Sequence, residues 1–446
     1  MVKLPPKPPT LDELFEDSDV MNAVSGILGK GSGPEADRKY HHWATLIHLE
    51  PPRNLTHRQW WFGLKYSRRQ LAKEISLRDT EGRPFWYAMA DGVLRLVHRV
   101  DRDASGRIEI SEQVTNPETR DRYIINSLIQ EAITSSQLEG ASTTVEQAKE
   151  MLRTGRRPLD RSEQMILNNF QAMRHVRELS DQPLTRELIL ELQEIVTRDT
   201  LDGPKAAGRF RTGSDDIVVS DTLTGQVLHR PPRAEDLESR VALMCDFAND
   251  MSEGEFVHPV VRAIILHFWL GYDHPFVDGN GRTARALFYW SMLSRGYWLA
   301  EYISISRILR AAPSKYARSY LYTETDENDL TYFVLYQLQV IDRAIDELHR
   351  YLRKKIEEVQ RVERLIRRSA QLNHRQLAVL SHALKHPDAR YTIRSHRTSH
   401  NVVYQTARTD LLGLEEKGLL ERRKVGRTYL FAPYGDLGDR LLQLDR

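Results

Sequence analysis

The sequence predicts a mainly α-helical chain, with one β-hairpin set into its middle and a C-terminal helical unit closed by a β-ribbon. Three observations carry this. Apolar residues recur at helical spacing over long stretches, as in Ile124, Leu128, Ile133 and Leu138, and again in Leu188, Leu190, Leu192, Ile195 and Val196. One strand-like interruption, DDIVVSDTLTGQVLH, places two β-branched runs around Thr222–Gly225. From Asn373 the pattern becomes three short helices, then strand, Gly turn and strand, the order of a winged helix-turn-helix.

Composition narrows the classes. The chain has 446 residues, 40% hydrophobic and 28% charged, which argues against wholesale disorder and favours two to four domains. A single cysteine, Cys245, excludes an intramolecular disulfide and a cysteine-ligated zinc, and suits a reducing, cytoplasmic home. The start lacks the apolar stretch of a signal peptide. The most apolar run, Val257–Tyr272, is short and carries His258, Arg262 and His267, so no membrane span is expected. The net charge of +2 is unevenly spread: residues 350–446 hold 21 Lys+Arg against 11 Asp+Glu, and the first 349 hold 43 against 51.

The elements follow in order. Residues 1–35 are rich in Pro, Gly and acids, and are expected to be disordered or loosely attached. Residues 36–119 form an N-terminal subdomain around Trp43, Trp60, Trp61, Phe85 and Trp86, which read as core aromatics; FWYAMADGVLRLVHRVDRDASG is expected to be a hairpin turning near Asp103–Gly106. Residues 120–349 are the helical core, 350–372 a charge-laced connector helix, and 373–446 the winged helix-turn-helix.

The chemistry concentrates in HPFVDGNGRTARALFYW, from His274. An apolar helix runs into a tight loop, and another helix starts near Arg282. Gly279, Asn280 and Gly281 let backbone N–H groups converge on an anion, and the helix N-terminus adds partial positive charge. Arg282 and Arg285 lie three apart and share a helix face, making a polyphosphate site with the glycine loop. Asp278 offers a carboxylate suited to Mg²⁺ that keeps most of its waters and bridges phosphates. His274 is the nearby group able to accept a proton near neutral pH. Phe276 reads as an anchor into the core. His258 and His267 read as helix-start and packing residues, since no third ligand accompanies them.

These residues carry a family resemblance. HPFxDGNGRxxR matches the signature of Fic-domain nucleotidyltransferases at all its defined positions, and the likeness covers residues 120–345 most strongly. The chain is therefore expected to have a Fic-type helical core with a β-hairpin flap, plus the winged helix-turn-helix. The resemblance implies transfer of AMP from ATP, with Mg²⁺, to a hydroxyl of a target protein or of the chain itself. His274 would deprotonate the hydroxyl. Asp278 would hold the metal, Gly279–Gly281 with Asn280 the phosphate oxygens, Arg282 the phosphate charge, and Arg285 the γ-phosphate. A branch of the family that phosphorylates its targets has Lys where this chain has Gly281, so Gly281 favours nucleotidyl transfer.

The same resemblance makes the hairpin at 217–229 a flap that pairs with an extended target segment by strand addition. Upstream, SSQLEGAS sets Ser135, Glu139 and Gly140 in the S/T-xxx-E-G/N pattern of an inhibitory helix, here near 124–140. Glu139 would pair with Arg285 in place of the γ-phosphate, with Ser135 bracing its carboxylate. In some relatives that glutamate supports AMP removal, so a de-AMPylating enzyme is an alternative. Tyr316 and Tyr320 are candidates to line an adenine pocket, and GRFRTG (208–213), with Arg211, reads as packing. At the C-terminal end Arg394, Arg397, His400, Asn401, Tyr404, Arg422, Arg423, Lys424 and Arg427 could track DNA phosphates. A DNA-binding regulator with a nucleotide-sensing core is thus the reading of another class, and a winged helix used for protein contact stands beside it. Oligomeric state is open, a homodimer included.

Overall fold

The computed structural model describes the chain except residues 1–2, 31–38, 53–54, 105–116, 204–205, 222, 252–255, 369–371, 387, 426–427 and 444–446. It divides into two compact units, Met1–Leu348 and His349–Arg446.

Four helices open the first unit: α1 (Leu11–Phe15), α2 (Ser18–Lys30), α3 (Trp43–Leu46) and α4 (His57–Gln70). The expected disorder of residues 1–35 is overturned across their described part. Thr10 and Glu13 form a reciprocal capping box at the start of α1. Leu14, Val20 and Ile27 are buried against Trp61, Phe62 and Leu64 of α4. Each such side chain contributes on the order of 1.5–3 kcal/mol when buried. The mean composition of this segment hid the spacing of those few apolar residues. Trp60 and Trp61 are core, as expected.

β1 (Ala72–Arg78) and β2 (Pro84–Ala88) pair antiparallel, Ala72 opposite Ala88. The hairpin expected over 85–106 is therefore corrected: its first residues pair backwards with β1, and the remainder forms α5 (Asp91–Ala104). Val93, Val97 and Val100 are buried at helical spacing, a period that the denser V-L-R-L-V alternation obscured. Residues 105–106 of that expected turn lie outside the described residues. β2 is tied to the core through Trp86, whose N–H donates to Asn328 O (3.2 Å) and whose carbonyl accepts from Leu330 N (2.8 Å).

Next come α6 (Pro117–Leu138), α7 (Val145–Thr154), α8 (Arg161–Glu178) and α9 (Arg186–Thr197). Ile129 and Ile133 of α6 pack with Met151 and Ile166. The short antiparallel pair β3 (Val219–Ser220) and β4 (Val227–His229) stands where the flap is expected, with Thr222 outside the described residues. Then follow α10 (Leu237–Ala248), α11 (Pro259–Asp273), α12 (Asn280–Ser294), α13 (Ile305–Ala311), α14 (Pro313–Thr325) and the long α15 (Thr331–Arg368). α11 starts on Pro259 with His258 as its cap, the His258 Nδ1 accepting from Val260 N. Val261, Ile264, Ile265, Leu266, Phe268 and Trp269 of α11 are all at most 1% exposed. A helix apolar all round must be covered on every side, so α11 is the central rod and α12 packs along it. Free Cys245 is buried in α10, and burial pushes its thiol up to about 12.

The second unit contains α16 (His374–Lys385), α17 (Ile393–His400), α18 (Tyr404–Glu416), the antiparallel ribbon β5 (Leu420–Val425) and β6 (Thr428–Pro433), and α19 (Leu437–Gln443). Leu380, Leu411, Leu414, Leu419 and Phe431 form its core. Tyr391 and Phe431 exchange backbone hydrogen bonds of 2.8 Å in both directions, adding a one-residue third strand. Among the described residues no helix is long and apolar enough to cross a membrane.

Candidate active site

The loop 274–279 joins the two buried helices. His274 ends α11 in the left-handed region (φ +43°) and Gly279 caps α12 at φ +86°. Gly279 is needed twice over: a Cβ there would also lie 2.8 Å from Thr197 Cγ2 and 3.1 Å from Val196 Cγ2. Phe276 is fully buried, as expected, and anchors the loop. Asn280 fastens it: Oδ1 accepts from Phe276 N (3.0 Å), and Nδ2 donates to Phe276 O (2.8 Å). Its amide oxygen and one amide N–H are engaged inside the loop, and its backbone N–H opens the helix.

His274 is half-buried. Its Nδ1 lies 3.2 Å from Gly271 O. A carbonyl can only accept, so Nδ1 carries the proton and Nε2 the lone pair. Burial depresses the ring to about 4. The ring is therefore neutral near pH 7 and fit to take a proton at Nε2. Its backbone is clamped by Arg211, whose Nε donates to His274 O (2.9 Å) and whose Nη2 donates to Pro232 O and Asp273 O. Asp273, fully buried, accepts from Arg240 (2.6 and 2.8 Å) and Trp269 Nε1 (3.0 Å). Burial raises the Asp273 pKa despite Arg240.

Arg282 and Arg285 are both at most 1% exposed. Arg282 donates Nη1 to Val196 O (2.5 Å) and Nη2 to Asp278 Oδ1 (3.2 Å), and its buried Nε has no partner among the described residues. Burial holds its pKa below the ordinary value. Arg285 donates Nε to Ser135 Oγ (2.8 Å), and Nη2 to Ser135 O (3.1 Å) and Glu139 Oε1 (2.8 Å); among the described residues its buried Nη1 meets no acceptor at hydrogen-bond geometry. Two buried guanidiniums thus keep unpaired donors beside a glycine loop whose first helical N–H groups also lack intrahelical acceptors. Such donors are costly to leave unmade, and an anion would satisfy them.

Glu139 sits on this loop. A Cβ built at Gly281 would lie 2.1 Å from Glu139 Oε1 and 3.1 Å from Arg285 Nη1. The carboxylate therefore occupies the space that only a glycine leaves open. Ser135 departs from its expected role: it accepts from Arg285 and positions the guanidinium, not the carboxylate.

Asp278 is 40% exposed. Its Oδ1 takes Gly279 N and Arg282, while Oδ2 has no partner among the described residues. One free carboxylate oxygen fits a Mg²⁺ that draws its other ligands from water and phosphates. No group of three or more metal-ligating side chains gathers among the described residues. Tyr316 and Tyr320 stand beside the site but pack inward: Tyr316 Oη meets His267 Nε2 at 2.7 Å, and Tyr320 stacks on Phe268 at 5.0 Å. His267, held down to about 3 by burial, is a packing residue as expected.

The loop motif left one residue unread. His229 on β4 approaches Glu324 Oε2 through Nδ1 and Tyr272 O through Nε2, both at 2.7 Å. Burial works against its charge, but Glu324 more than offsets this and the pKa is raised. Glu324, Arg240 and Asp273 come from separate helices with no shared motif, so only folding reveals that they meet here.

Comparison with known proteins gives the site a context. A profile of the Fic/DOC family matches residues 183–292. The protein adenylyltransferase Fic of Nematostella vectensis is 30% identical over 184 residues, 40% of each chain. The protein adenylyltransferase fic-1 of Caenorhabditis briggsae is 42% identical over 94 residues, 21% of this chain and 17% of that one. This chain thus matches less than half the length of these relatives. A Fic family protein from Desulfovibrio desulfuricans G20 superposes with a TM-score of 0.53 at 22% identity, covering 78% of this chain and 98% of its own, and shares the fold.

Proposed function

From the premise that this chain carries a Fic domain within a mainly helical fold, we propose that it is a protein adenylyltransferase restrained by Glu139. The substrate hydroxyl oxygen bonds to the α-phosphorus of ATP, the bond from that phosphorus to the bridging β-oxygen breaks, and pyrophosphate leaves. The hydroxyl proton passes to His274 Nε2. The observation that carries this reading is the Nδ1–Gly271 hydrogen bond, which leaves Nε2 as the acceptor beside the anion-seeking loop.

The remaining residues position and compensate charge, which is most of what phosphoryl-type transfer requires. The N–H groups opening α12 bind phosphate oxygens, Arg282 holds Asp278 in place, and Arg285 binds the γ-phosphate once Glu139 yields. Asp278 holds Mg²⁺, which when bound supplies charge neutralisation on the phosphates. The β3–β4 hairpin receives an extended segment of the target protein by strand addition. Glu139 restrains the reaction by taking the Arg285 donor that the γ-phosphate needs. Intact-mass measurement after incubation with ATP and Mg²⁺ tests the reading. A gain of one AMP per acceptor is expected, and it disappears in His274→Ala. A gain of phosphate alone, or an AMP gain that survives His274→Ala, overturns it.

A further inference from the structure

The second unit carries charge that nucleotide transfer does not use, and its structure sorts the candidates. α17 and α18 meet through a short turn that begins at Asn401 in the left-handed region (φ +48°). On α18, Tyr404, Gln405, Arg408 and Thr409 are exposed, while Ala407, Asp410, Leu411 and Leu414 are buried. Positions i, i+1, i+4 and i+5 form one face. The one acidic residue of α17 and of the first half of α18, Asp410, points inward. It accepts from Asn373 (2.7 Å), from Arg375 (2.6 and 3.1 Å) and from His396 (3.1 Å). This network fastens α16, α17 and α18 together and removes the negative charge from the outer face.

The cations fall into two groups. Arg422 pairs with Glu415 (3.0 Å) and Arg423 with Glu421 (2.9 Å), so two of the ribbon's three described cations are already met. Arg427 lies outside the described residues. Arg394 and Arg397 on α17, Arg408 on α18 and Lys424 on β5 are exposed, with no carboxylate partner among the described residues. Exposed aromatic faces, which a single strand would need for base stacking, are few on this face: Tyr404 is open, and Tyr429 is exposed with Arg422 4.9 Å over one face of its ring.

We propose that this face binds duplex DNA, with α18 in the major groove. Arg394, Arg397 and Lys424 meet phosphates, which position the helix. Gln405 and Arg408, side chains that make paired hydrogen bonds to adenine and guanine edges, read the bases. The proposal is independent of AMP transfer.

The test uses the full chain and fluorescence anisotropy with short labelled duplexes of random sequence, followed by selection for preferred sites. Between about 50 and 200 mM salt, the logarithm of the binding constant should fall with the logarithm of salt at a slope near −3, for three phosphate contacts. Arg394→Ala with Arg397→Ala should make the slope shallower by about 2 and weaken binding roughly tenfold at the lower salt. Gln405→Ala with Arg408→Ala should flatten the selected sequence preference. All four sites are exposed, so unchanged unfolding curves and unchanged AMP transfer are expected in both variants. Absence of binding at the lower salt, binding indifferent to the α17 arginines, or tighter binding to a single strand of the same length would each overturn the proposal.

Discussion

Removing the Glu139 carboxylate should release the nucleotide site by an amount that the geometry bounds. Glu139 makes one charge-assisted hydrogen bond to Arg285, at 2.8 Å, and its side chain is 33% exposed. Such bonds contribute about 1.5–3 kcal/mol, and partial solvent exposure places this one near the low end, about 1.5–2 kcal/mol. At about 1.4 kcal/mol per decade, Glu139→Gly should raise AMP incorporation roughly 10- to 30-fold under conditions where ATP saturates. Glu139→Gln keeps a hydrogen bond from the charged guanidinium but loses the ion pair, and should fall between wild type and the glycine variant. The same change leaves Arg285 buried without its carboxylate, so the ATP-free variant should melt lower and recover on adding ATP. Labelled-ATP incorporation, with His274→Ala as background, reads the rate, and thermal unfolding with and without ATP reads the compensation. Incorporation by Glu139→Gly within twofold of wild type, with ATP binding demonstrated, refutes the reasoning.

Four further outcomes follow from the site. The His274 ring, depressed to about 4, is already deprotonated across the neutral range, so the acid limb of AMP incorporation in the Glu139→Gly background should lie below pH 5; an acid limb near the ordinary 6.5 would contradict its buried placement. The same depression means that the unfolded chain binds more protons between about 4 and 6.5, so this residue's contribution to stability falls as pH drops through that window. Asn280→Ala strands the buried Phe276 N–H and carbonyl, and should cost about 1–3 kcal/mol in urea unfolding. His229→Ala removes both bonds that tie β4 to α11 and α14, so the KM for a protein acceptor should rise several-fold while that for ATP stays level; because its pKa is raised, the wild-type tie should weaken as pH climbs through that raised value.

Much of this was legible in the chain. The nine defined motif positions between His274 and Arg285 state their chemistry locally, because a glycine loop opening a helix is a near-neighbour property that no distant contact can undo. The helical periods, the hairpin near 217–229 and the order of the C-terminal elements were legible for the same reason. Averages misled where a few residues decide. Leu14, Val20 and Ile27 order a segment of polar composition, and the spacing of Val93, Val97 and Val100 outweighs an apparent alternation.

What the tertiary structure alone decided is the partner each group takes. The sequence placed Ser135 at the site, but folding gave it to Arg285. It set Asp410 against Arg375 and His396, clearing one face of α18 of negative charge. Hydrogen bonds are directional and short, so a partner depends on where two distant segments meet to within an ångström, while the type of chemistry depends only on which residues are present and how closely they follow one another.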